Sequence, residues 1–150
     1  MEKCLVLFDG EDIEIAEKIK RHISLFGAIV DTQVGWAGDI KIGENIDEAL
    51  AKMVEAADGI IYILSANTNL TSLVTIAESK QTYALYVSEV ADFIVEYLER
   101  ETKVMVLPSE AIMNIGWHKG LSLAMEKMFG KKYTKNHKLK SALFWIPRLH

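Results

Sequence analysis

A single cysteine, Cys4, is present among 150 residues, so no internal disulfide can form and a reducing, cytoplasmic setting is expected. Long apolar runs are missing as well. No stretch approaches the ~20 residues that a membrane span needs, and the strand-like pattern that follows Met1 almost at once predicts no signal peptide. Neither sign of charge dominates: the formal net charge is -4, with acids and bases interspersed, which leaves no electrostatic footprint for nucleic acid or an anionic membrane. Neither is expected as a partner. The phosphate-cradling patterns G-x-x-x-x-G-K-[ST] and G-x-G-x-x-G are both lacking. The histidines His22, His118, His137 and His150 are scattered without ligand spacing, and no cysteine pair stands beside them, so no metal site is expected.

What remains is a chain half apolar in composition, long enough to bury one continuous core as a single domain over residues 1–150. Apolar runs of strand length alternate with helical patterns, the signature of parallel βαβ units with right-handed crossovers. Strands are expected at Lys3–Phe8, Ala28–Asp31, Gly59–Leu64, Lys103–Leu107 and Ala142–Ile146. Between the first two, Asp12 is placed to cap a helix carrying Ile15, Ile19 and Ile23 at intervals of four, with Gly27 to end it. A second helix is expected from about Ile46 to Ala57. A third begins near Thr71 or Ser72, and the apolar series Ile76, Tyr83, Val87, Val90, Ile94 and Leu98 carries it, with or without a break, to about Arg100. A fourth spans roughly Leu121 to Phe129, closed by Gly130. The Lys131 to Lys140 run holds five lysines and His137, which a solvated loop explains more simply than an anion site. Together these elements predict an α/β, flavodoxin-like three-layer fold around a five-stranded parallel sheet, with its switch point between strands one and three.

Ligands of such sheets bind outside the carboxyl ends of the strands, so Phe8 to Asp12 and Ser65 to Ser72 are expected to face one another across a cleft. Glu78, at the start of the third helix, is delivered there as a lone carboxylate. Taken alone, a glutamate in the first turns of a helix is usually a favourable charge at the positive end of the dipole. Gly10, in Asp9-Gly10-Glu11-Asp12, lets backbone approach a ligand closely, or simply turns the chain. The loop expected over residues 33–43 contains three glycines and is expected to be mobile, with Trp36 free to stack on a flat ring or to cap a neighbour, and Lys41 to meet an anionic group or water. The Gly116-Trp117-His118-Lys119-Gly120 stretch is expected to be a structural turn, and Phe144-Trp145 in a terminal strand to be ordinary packing.

The stretch from Gly43 to Glu78 resembles the TIR (Toll/interleukin-1 receptor) domain, whose pattern runs G-x-x-I, spaced apolar residues, a strand ending in Leu-Ser, then S-x-W-C-x-x-E. Gly43 and Ile46 match the opening, Leu50, Val54 and Ala57 the helix face, Ile60 to Leu64 the strand, and Ser65 its terminal serine. Ser72, Val74, Thr75 and Glu78 fall on the S, W, C and E positions with one residue inserted after Ser65. The resemblance implies strand order 2-1-3-4-5, a long loop at residues 33–43 that closes over the site, and homo-oligomers built through TIR–TIR contacts. It also implies that Glu78 serves cleavage of the nicotinamide–ribose bond of NAD, which is substrate rather than cofactor. Breaking that bond builds an oxocarbenium-like cation on the ribose, which a fixed carboxylate stabilises, while the leaving ring departs neutral without a strong acid. Phe8, Asp9, Gly10, Trp36, Lys41, Ser65 and Ser72 are the expected substrate contacts.

Two classes of function follow. One is an NAD-cleaving enzyme giving nicotinamide with ADP-ribose or a cyclic ADP-ribose-type signal, similar to the small stand-alone TIR proteins of bacterial antiphage systems such as Thoeris, where a diffusible product reaches a separate effector. The other is a scaffold acting only through TIR–TIR assembly. A receiver-like phosphorylation domain needs an acceptor aspartate at the end of strand three, where Ser65 stands. A nucleoside deoxyribosyltransferase-like enzyme, which also sets a glutamate on ribose, is a minor alternative.

Overall fold

A computed structural model of the chain describes residues 2–25, 30–38, 43, 45–107 and 117–130. The elements run β1 (Glu2–Phe8), α1 (Ile13–Ser24), β2 (Val30–Trp36), α2 (Glu48–Ala56), β3 (Gly59–Leu64), α3 (Leu70–Ser79), β4 (Thr82–Tyr86), α4 (Asp92–Glu101), β5 (Met105–Leu107) and α5 (His118–Phe129). All strands pair in parallel in the order β2-β1-β3-β4-β5.

Alternate side chains of the central strands feed two cores, which is why β1 and β3 read as unbroken apolar runs. Leu5, Leu7, Ile60, Tyr62 and Leu64 meet α2, α3 and α4 on one face; Cys4, Val6, Phe8, Ile61 and Ile63 meet α1 and α5 on the other. The result is the expected flavodoxin-like three-layer fold. Ile19 and Ile23 of the four-spaced series in α1 are fully buried and Ile15 half-buried. Gly59 opens β3 where α5 crosses it, and the Met128 side chain occupies the space a Cβ would need.

Several boundaries differ from expectation, and one difference is an element. Residues 82–86, read as the middle of a long third helix, are β4. The helix ends at Lys80, whose backbone is extended and whose ammonium donates to Glu55 O and Ala57 O at the end of α2. From there Thr82, Ala84 and Tyr86 face the α2–α4 side, Tyr83 and Leu85 the other, and the chain resumes as a separate helix, α4. The expected fourth strand at Lys103–Leu107 is therefore the fifth, β5, and the expected strand at Ala142–Ile146 lies outside the described residues. The second strand, expected at Ala28–Asp31, runs Val30–Trp36, with 28 and 29 outside the described residues. The cap of α3 is Asn69, whose side chain accepts the Ser72 amide, rather than Thr71 or Ser72. Asp47 caps α2 by accepting from Leu50 N–H at 2.9 Å.

Candidate functional site

The order β2-β1-β3 puts the switch point at the carboxyl ends of β1 and β3. Two loops meet there. Gly10, at φ 57°, lies where an added Cβ would stand 3.2 Å from the Asn67 Cβ, so both its backbone geometry and its missing side chain let the β1–α1 loop touch the β3–α3 loop.

Asp9, 2% exposed, binds the two loops from below. Its carboxylate accepts the phenol of Tyr62, a β3 residue, and the backbone N–H of Asn69 at 2.8 Å. Burial, then the Asp9 charge, push the Tyr62 phenol far above its ordinary value, while a hydrogen bond with Ser72 opposes them. Tyr62 is thus a neutral donor held against an acid, and Asn69 in turn caps α3.

Asp12 sits one turn further, half-buried at the start of α1. The sequence pattern assigns it to helix capping, but its side chain makes no cap hydrogen bond. Instead its carboxylate crosses to the other loop, accepting Ser65 Oγ–H at 2.5 Å on Oδ2 and Asn67 Nδ2–H at 2.9 Å on Oδ1. Ser65 Oγ also accepts the Asn67 amide at 3.0 Å, and the Ser65 amide donates to Thr68 Oγ1 at 2.8 Å. An ionised carboxylate offers about four lone-pair sites, so two donors leave acceptor capacity on the exposed side.

Of the expected site residues, Asp9, Gly10 and Ser65 come together at this crevice. Phe8, next to Asp9 in the chain, is buried in the core, and Ser72 is buried beneath the crevice, where its side chain hydrogen-bonds with Tyr62. Trp36 is not in a mobile loop. It is the last residue of β2, in register with Phe8, with its indole laid against Gly38 and 53% of its surface exposed. Lys41 lies outside the described residues.

Glu78 is exposed in the last turn of α3, not in its first turns as expected. The helix starts at Leu70 and runs away from the strand ends, so a rise of about 1.5 Å per residue carries Glu78 roughly 12 Å from the crevice edge. The carboxylates at the switch point are Asp9, which is buried, and Asp12, which is partly open to solvent.

Trp117 and His118 begin α5 and stack at 4.0 Å, with the His22 ring of α1 edge-on to both, so the described part of the expected 116–120 turn is an aromatic joint between two helices. Among the described residues no group of three or more His, Cys, Asp or Glu is placed to hold a metal ion, and no helix is long and apolar enough to cross a membrane.

Asp12, Asn67, Tyr62 and Asn69 were not singled out by the sequence as site residues, because their partners lie 53 to 60 positions away along the chain and leave no local pattern. Comparison with protein-family models, with curated proteins and with solved structures found no match.

Proposed function

We propose that the chain cleaves the nicotinamide–ribose bond of NAD, as its TIR-like sequence implies, and that the ribose lies over the carboxyl ends of β1 and β3 against Asp12. The observation that carries this reading is the Asp12 carboxylate, half-buried at the switch point and fixed by Ser65 and Asn67. In the reaction the bond from ribose C1′ to the ring nitrogen breaks and its electron pair neutralises the pyridinium. A water oxygen, or an adenine nitrogen of the same molecule, bonds to C1′, and the proton of an attacking water passes to solvent. Asp12 faces the positive charge that develops on the ribose, and preorganisation by two donors means that it need not reorient as that charge grows. Trp36 offers an exposed ring on the same edge of the sheet.

The test is purified protein incubated with NAD, with products identified by mass spectrometry, beside Asp12→Asn and Glu78→Gln. Asp12→Asn is expected to lose turnover by about 10²-fold or more, the scale of removing one preorganised electrostatic group. Glu78→Gln is expected to retain it. The reverse result would move the site to the far end of α3 and leave NAD cleavage standing; no consumption of NAD at any protein concentration would end the enzyme reading.

One observation favours the scaffold as a second reading. Phe93, 72% exposed, and Tyr97 stand one turn apart on the outer face of α4, an apolar pair suited to a second copy of the chain. A species that assembles with rising concentration yet never consumes NAD would support it.

A further inference from the structure

One strand over from the crevice, a pocket of about 270 Å³ opens between the β3–α3 and β4–α4 loops. Leu64, Leu70, Val90 and Ile94 give it apolar walls, Ser65 forms its border with the crevice, and Glu89 stands at its rim. Ser65 is also the residue that donates to Asp12, so a molecule laid across the end of β3 meets both places.

Size decides what enters. Whole small-molecule ligands occupy pockets of about 300–1,000 Å³, so this one suits a single ring and not a dinucleotide. The apolar walls suit the faces of a flat ring. The hydroxyls within it are committed: Thr68 donates to Ile63 O and accepts from the Ser65 amide, while Ser65 donates to Asp12. The polar group left to discriminate between rings is the Glu89 carboxylate. Its loop is pinned on both sides, by Val87 N–H to Leu64 O at 3.1 Å and by Val90 N–H to the Tyr86 phenol at 2.9 Å. An exposed carboxylate on a backbone-pinned loop therefore stands beside an apolar, ring-sized slot, and that combination favours a cation.

We infer that this pocket binds one cationic heteroaromatic ring with Glu89 as its counter-charge, and, resting on the function proposed above, that it holds the pyridinium of NAD before cleavage. When the bond to ribose breaks, the electron pair moves onto the ring nitrogen and the ring becomes neutral. The attraction to Glu89 is then lost, and the product leaves. Because that attraction is stronger in the ground state than in the transition state, Glu89 tightens substrate binding and slightly raises the barrier of the chemical step.

The probes are 1-methylnicotinamide, a permanent pyridinium cation, and neutral nicotinamide, titrated into the full chain and followed by amide chemical shifts. The cation is expected to bind about 3- to 5-fold more tightly, the range of an exposed charge pair, with shifts at Ser65, Val90 and Ala91. In Glu89→Gln, and in the unmodified chain at high salt, the preference is expected to vanish. With NAD, Glu89→Gln should raise KM by the same factor and raise kcat by up to that factor, so that kcat/KM changes little. Equal binding of the two rings, shifts confined to other residues, or a preference that survives Glu89→Gln would overturn the inference. The two readings fail separately. A Glu89-dependent preference without NAD consumption ends the enzyme reading and keeps the pocket, whereas NAD consumption without ring binding here does the opposite.

Discussion

The two ends of the sheet solve the same problem in different ways. At the amino end, polar side chains serve backbone groups: Asp58 accepts the Lys3 amide at 2.7 Å, and the Lys80 ammonium reaches the last carbonyls of α2, where a cation suits the negative end of the helix dipole. At the carboxyl end, side chains bind side chains across two loops. Asp9 meets Tyr62, and Asp12 meets Ser65 and Asn67. The first arrangement closes a fold; the second also sets two carboxylates at the point where a parallel sheet has room for a ligand.

Alkali separates the ends with the largest expected effect. Cys4 lies near the amino end of β1, where burial alone pushes its thiol from 9.0 up to about 12. The folded state keeps this proton while the unfolded chain releases it above pH 9, so the unfolded state binds fewer protons and stability falls as pH rises toward 12. The loss is about 1.4 kcal/mol per pH unit, reaching roughly 4 kcal/mol by pH 12. Tyr62, near the carboxyl end, is raised from 10.0 by burial and by Asp9, and its contribution falls away above pH 10 by the same sign. Urea unfolding from pH 7 to 11 should show the decline beginning near pH 9 in the parent chain and near pH 10 in Cys4→Ala. Stability that stays flat through this range would contradict the burial of both groups.

Next in size is the contrast between the two kinds of polar contact. Asp9→Ala strips the acceptor from a buried phenol and from the Asn69 amide, which should cost about 3 kcal/mol, since unmet buried donors carry their full desolvation penalty. Lys80→Met, at the opposite end, removes an ammonium from exposed helix carbonyls and should cost only about 0.5–1 kcal/mol. Equal losses in chemical denaturation would erase the distinction between the ends.

How much of this was legible in the sequence follows the range of each signal. β3 was read to the residue because six apolar positions in a row have few other meanings, and α1 because Ile15, Ile19 and Ile23 repeat at helical spacing. β4 was missed because Tyr83, Val87, Val90, Ile94 and Leu98, drawn from a strand, a loop and a helix, fall by coincidence at intervals of three and four. No Gly or Pro between residues 79 and 100 punctuates the change. The sheet order survived this error, since Thr82–Tyr86 supplies the fourth strand and the expected fourth becomes the fifth. The site was less legible. An aspartate before an apolar-periodic helix is the usual sign of a cap, so Asp12 looked accounted for, while its actual partners are remote in sequence. Glu78 was misplaced because the start of α3 at Leu70 and its end at Ser79 carry no strong boundary signal.

The smallest expected effect on stability belongs to Trp36. Its indole covers Gly38 but keeps about half its surface in solvent, 53%, and among the described residues no strand lies beyond β2 in the sheet. Trp36→Ala should therefore change unfolding stability by no more than about 1 kcal/mol, near the range of surface substitutions. Its effect on a ligand is separable from this. A ring fixed at the end of a strand needs no loop to order before it stacks, so its contribution is made to substrate and transition state alike. KM for NAD should rise roughly 2- to 10-fold with kcat nearly unchanged, the range of one aromatic contact. A stability loss above about 2 kcal/mol would instead show that the indole is part of the core packing. An unchanged KM would show that the ligand passes over β1 and β3 without reaching β2, which narrows the site to the crevice around Asp12.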